Sequence, residues 1–269
     1  MKATYFILFL FICACFQAEA QSLDEYMKIA EENNPSLKSR LLEFEVAMQR
    51  IPQVGSLPDP GLKVTAFGQM VETRVGQQMA RFSLEQMFPW FGTLAAQKDV
   101  AALAAQAKYE LYLDGKNELA FQVRSAYYAL YELEQQLKLQ RENLEIFGTY
   151  KTLATARFQN GNGKLADALQ VDIMTNELQT EISILESKRK PLLVAFNRVL
   201  NRSSDEEVVI ADDLPVNQES LFLLDSVLTR NPKLSGLDQW IASAQAQQEV
   251  AKRQSMPMLG IGFEYIVTA

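Results

Sequence analysis

Between Thr93 and Gln159 the chain contains no proline, and its glycines at 115 and 148 stand alone, so nothing local interrupts a helix over that whole stretch. At about 1.5 Å per residue such a helix would reach about 100 Å, several times what compact domains use. Leu119, Val123, Ala126, Leu130, Leu133 and Leu137 step by four and three, and Leu144 and Phe147 resume the series. That is a heptad seam, which supercoils against a partner helix. Asn160-Gly161-Asn162-Gly163 predicts a turn. A second helix follows with Ala168, Val171, Thr175, Leu178, Ile182, Leu185, Leu192, Phe196 and Val199 in the same rhythm. Gln140 and Arg189 each interrupt a seam once, and Pro191 predicts a kink or a restart. Val123–Phe158 and Lys164–Leu200 are nearly equal in length, so they can fold back as an antiparallel pair. The first half of the long helix then needs another partner, part of which Ser36–Gln53 can supply.

Ahead of the long helix the period changes from four-three to two. Leu62, Val64 and Ala66 alternate with Lys63, Thr65 and Phe67, and after a turn at Gly76, Ala80, Phe82 and Leu84 alternate with Arg81, Ser83 and Glu85. Each arm is about ten residues, the length at which a tilted strand crosses a hydrocarbon layer. Phe88-Pro89-Trp90-Phe91-Gly92 closes the segment with aromatics of the kind found at a membrane interface. A soluble hairpin resting on a helical body would show the same alternation.

The chain also repeats. Asn34-Pro35-Ser36-Leu37 returns as Asn231-Pro232-Lys233-Leu234, and at that spacing Pro60 meets Pro257, Leu62 meets Leu259 and Val64 meets Ile261. In both copies a short helix leads to Asn-Pro, then an Ala/Gln-rich helix, then a Pro-flanked strand. The second copy stops inside its strand at Ala269, which reads as a truncated chain. The expected organisation is a signal peptide over 1–20 and a first repeat over 21–201. That repeat holds helices over 22–54, a hairpin over 61–88, a long helix over 93–159 and a return helix over 164–200. A linker over 202–219 then joins the opening of a second repeat over 220–269.

The leader follows from Lys2, the apolar run Tyr5–Phe16 and Ala18-Glu19-Ala20, with cleavage expected before Gln21. Ile12-Cys13-Ala14-Cys15 offers the alternative of a lipoprotein box acylated at Cys15. Both cysteines lie in this segment and the chain has no histidine, which removes thiolate chemistry, disulfides and the commonest general base together. A formal charge of −7 argues against nucleic acid as a partner. No stretch beyond the leader is apolar enough for a transmembrane helix, so any membrane passage must be made by strands.

These elements together resemble the TolC-like outer-membrane efflux family, over Ser22 to Ala269. The Asn34-Pro35-x-Leu37 pair with its second copy, the Phe88–Gly92 junction, and Arg157-Phe158-x-x-Gly161 with Asp167 carry the resemblance. Where the family usually has an apolar residue after that glycine, this chain has Asn162-Gly163. The resemblance implies a mainly helical mixed fold, with long antiparallel coiled-coil helices and a hairpin that contributes to a trimeric transmembrane β-barrel in outer-membrane lipid. It further implies a periplasmic adaptor (membrane fusion) protein docked at the helical tip, and an inner-membrane transporter as the source of energy. The protein would be a passive duct for small molecules or metal ions, without enzymatic activity.

On that reading Arg157, Phe158, Gly161 and Asp167 form the adaptor-docking tip. Lys63, Thr65, Arg81, Ser83 and Glu85 line the barrel lumen, and Phe88, Trp90 and Phe91 form the interfacial girdle. Ordinary helix-turn chemistry accounts for the tip residues as well, and a solvated hairpin face for the lumen set. Asp205-Glu206-Glu207, Asp212-Asp213 and the methionines at 70, 79, 87, 256 and 258 are read as linker surface and packing, so neither a metal nor a cofactor is expected. The competing functions are a type I secretion duct and, of another class, a periplasmic adaptor or coiled-coil scaffold.

Overall fold

The computed structural model describes residues 23–74, 76–211, 214 and 228–268, with the side chains of 69–73 outside the description. The expected leader, Asp212-Asp213, the Met70 side chain and the helix expected to open the second copy at Ser220-Leu221 lie outside the described residues. The elements in chain order are α1 (Leu23–Asn33), α2 (Pro35–Val54), β1 (Gly61–Thr73), β2 (Gly76–Phe88), α3 (Thr93–Gln159), α4 (Leu165–Val199), α5 (Pro232–Gln254) and β3 (Leu259–Thr268). They divide into two compact units. One takes residues up to Pro35 and Lys116–Ser220, the other Ser36–Gly115 and Leu221–Ala269, so α3 contributes to both.

In the first unit α1, the second part of α3, and α4 share a core. Leu119, Val123, Tyr127, Leu130, Leu133 and Leu137 of α3 are buried, as are Ile182, Leu185 and Phe196 of α4. The antiparallel register is fixed at the rim by ion pairs Arg141–Glu186 (2.8 Å), Lys151–Asp172 (2.6 Å) and Arg189–Glu134. Arg189, which breaks the seam, is therefore an exposed partner for α3 and not a buried cation. Pro191 neither stops nor restarts α4, which runs through it as one helix. The ring removes one backbone bond, but Leu185, Leu192 and Phe196 keep their seam contacts on both sides of it.

An aromatic cluster closes the same unit. Tyr26 meets Phe196 edge-on at 5.1 Å between centroids, and Tyr127 lies 6.1 Å from Tyr26. Over this cluster runs the segment after Leu200. The Tyr26 hydroxyl accepts from the Val209 amide (2.9 Å) and donates to the Val209 carbonyl (3.2 Å), while the Tyr127 hydroxyl accepts from the Ala211 amide (3.0 Å). The wholly buried Asn197 donates to the carbonyls of Ser204 and Glu206, and its own oxygen accepts from Arg202. Burial pushes the Tyr26 phenol pKa up, partly offset by the Val209 hydrogen bond and by nearby Arg202.

In the second unit α2 and α5 pack on the first part of α3, whose buried positions are Thr93, Ala96, Ala101, Ala105 and Ala107. Phe44 and Tyr109 stack at 5.1 Å, and Lys108 pairs with Glu43 at 2.8 Å. Asn231 caps α5 by accepting from the Lys233 amide (2.9 Å) with proline at the first turn, which satisfies a donor that the helix leaves open. The three strands form one antiparallel sheet in the order β1-β2-β3, so the two repeat-related strands flank β2.

Candidate functional site

Strand pairing decides which side chains share a face. Val64 faces Phe82, which faces Tyr265; Leu62, Leu84 and Phe263 form the next row. Gln86 with Ile261 and Phe88 with Leu259 continue the same side. Leu62 is 71% exposed, Ile261 70% and Phe263 69%. A contiguous apolar face of this kind is uncommon on water-exposed protein and marks a surface meant for another apolar phase. A soluble hairpin resting on a helical body would bury these residues and leave the charged side outward. Here the apolar side is exposed, as are Lys63, Glu85 and Glu264 on the other side.

The opposite face carries Lys63, Thr65, Arg81, Ser83 and Glu85, all on one side of the sheet. Lys63 pairs with Ser83, which pairs in turn with Glu264, and Thr65 pairs with Arg81, which pairs with Ile266. Arg81 organises this side. Its Nε lies 2.9 Å from Glu264 Oε1 as an ion pair, with no acceptor aligned on that N–H, while Nη2 donates to Gln78 (3.3 Å) and the guanidinium stands 5.7 Å from the Phe67 ring centroid. Glu264 belongs with the polar set and was not among the predicted residues. Alternation continued from Leu259 would have reached it, but its pairing with Arg81 depends on a register between segments far apart in sequence.

At the end of the sheet where β2 leaves it, Phe88 lies on the apolar face, and Trp90 and Phe91 follow with ring centroids 5.9 Å apart. Phe91 is 77% exposed. Gly92 takes φ +75°, and the Arg253 guanidinium occupies the space a side chain would need. Arg253 Nη1 donates to the Phe91 carbonyl at 3.2 Å.

The turn between α3 and α4 is a Schellman closure: the Gly161 amide donates to the Phe158 carbonyl (3.0 Å) and the Asn162 amide to that of Arg157 (2.9 Å), with Gly161 at φ +72°. Arg157, Phe158, Gly161 and Asp167 are all exposed. Asp167 lies in the first turn of α4, where a carboxylate favours the helix N-terminus. Leu165 and Leu169, which sequence reasoning passed over, are 60% and 58% exposed beside them.

Among the described residues no group of three or more carboxylate, histidine or cysteine ligands converges, and Glu206 pairs with Arg202. Also among the described residues, no helix is long and apolar enough to cross a membrane.

The fold has counterparts among known proteins. The sequence model described as outer membrane efflux protein matches residues 27–201. No curated protein matches the chain. Among solved structures, the outer membrane protein VceC of Vibrio cholerae superposes with a TM-score of 0.62 at 16% identity, covering 92% of this chain and 68% of that one. The Campylobacter jejuni CmeC outer membrane channel gives 0.63 at 14%, covering 90% and 56%. The open state of the Neisseria gonorrhoeae MtrE outer membrane channel gives 0.58 at 16%, covering 92% and 63%. The chain thus spans less than two thirds of the last two channels. At these identities the likeness is one of fold.

Proposed function

Because the chain belongs to the outer membrane efflux protein family, whose members are outer-membrane channels and not enzymes, we propose that it is one subunit of a homotrimeric exit duct. The observation that carries this reading is the sheet with its exposed apolar face. Among the described residues β1 and β3 each keep one edge unpaired. In lipid such edges are prohibitively costly unless they meet further strands in a closed barrel. Neighbouring subunits supply those strands, the apolar face meets lipid, and Lys63, Thr65, Arg81, Ser83, Glu85 and Glu264 face the lumen. Exposed Leu42, Val46, Leu237 and Ile241 on α2 and α5 are surfaces that association would bury. The α3–α4 turn, with Arg157, Phe158, Gly161 and Asp167, docks a periplasmic adaptor, and an inner-membrane transporter drives small molecules or metal ions through a passive conduit.

The complete protein, purified in detergent, is expected to run as a trimer and to conduct ions in planar bilayers. A monomer that stays in the soluble fraction and gives no conductance would overturn the proposal.

A further inference from the structure

We infer that the end of α5 and the Trp90–Phe91 corner together form a headgroup site for anionic phospholipid, in the leaflet that adjoins the helical part of the protein. This rests on the outer-membrane reading above. Two rings stand at the foot of the apolar sheet face, where amphipathic aromatics settle at the boundary between hydrocarbon and headgroups. Beside Phe91 lies the cation of Arg253, with Lys252 next to it in α5. Arg253 is held against this corner by its hydrogen bond to the Phe91 carbonyl, and Gly92, by having no side chain, leaves the guanidinium room to lie there. Lys252 is 75% exposed, and its ammonium is 3.8 Å from Glu249. The same carboxylate accepts from Arg253 Nε at 3.1 Å. Two cations therefore share one anion, so these three side chains at the end of α5 carry net positive charge. A phosphate placed there takes the remaining guanidinium and ammonium donors while its acyl chains continue along the sheet face. Near a surface each such cation favours anionic lipid by about fivefold.

The test uses the complete protein in nanodiscs containing phosphatidylcholine and phosphatidylglycerol, reading by native mass spectrometry which lipid stays bound. Wild type is expected to retain phosphatidylglycerol preferentially. Lys252→Gln, which leaves the Phe91 contact intact, is expected to reduce that preference about fivefold, and the double variant with Arg253→Gln further. Raising salt to about 1 M should weaken it in wild type. A wild type without preference, or variants that keep it in full, would overturn the site while leaving the channel reading standing. Variants that lose thermal stability equally in both lipids, with unchanged selectivity, would make the two cations an ordinary helix C-cap and likewise overturn it. Failure to enter bilayers of either composition would sink the channel reading itself.

Discussion

The two parts of α3 solve the same packing problem with different side chains. Up to Gly115 the buried positions are alanine and one threonine; from Leu119 onward they are leucine, valine and tyrosine. Small side chains let neighbouring backbones come close, and the contacts show it. Ser243 of α5 donates to the Val100 carbonyl (3.3 Å), and a side chain at Gly236 would meet the Ala107 carbonyl oxygen at 3.6 Å. In the leucine part α4 is held by interdigitating side chains with ion pairs at the rim. Interaxial distance follows from the side chains at the contact. An alanine seam therefore admits α2 and α5 both, whereas the leucine seam from Leu133 onward pairs α3 with α4 alone.

Exchanging the two chemistries tests this contrast. Leu137→Ala opens a cavity between α3 and α4 and should cost about 2–5 kcal/mol in chemical unfolding followed by circular dichroism. Ala107→Leu should cost about 1–3 kcal/mol by forcing α5 away from α3; if it is neutral, the alanine seam is not closely packed and the contrast breaks. Tyr26→Phe keeps the aromatic contacts but strips both hydrogen bonds from Val209, for an expected loss of about 1–3 kcal/mol confined to the leucine unit. The same residue predicts an alkaline limb. Its folded pKa lies above the unfolded value of about 10, so its contribution is complete below that pH and disappears as pH rises through the folded value. Unfolding midpoints measured across that range should fall more steeply for wild type than for Tyr26→Phe. Arg141→Ala, at an exposed rim pair, should cost less than about 1 kcal/mol, and a larger loss would mean that rim charges and not the seam hold α4.

What could be read from residues alone was whatever is local. The absence of proline and the four-three steps specify a continuous α3 and its buried stripe, and alternation specifies which strand residues share a side. Asn160-Gly161 marks the turn because only an unhindered residue takes positive φ at low cost there. The restart expected at Pro191 did not occur, because a local rule met a seam that continues on both sides of it. Glu264 beside Arg81, and Tyr26 beneath Val209, were illegible for another reason: nothing local fixes the register between such distant segments. The alanine stripe was visible but ambiguous, since alanine is common in any helix and only α2 and α5 in place reveal what it accommodates.

The hydroxyl of Tyr26 stands in for a missing peptide unit, reading one N–H and one C=O of Val209 as a neighbouring strand would. A tether held in that way recognises main chain and is blind to the side chain it carries. Position 209, itself 43% exposed, is consequently free to drift through almost any residue while its path stays fixed. Proline, lacking the one donor the phenol accepts, is the substitution that would cut it loose.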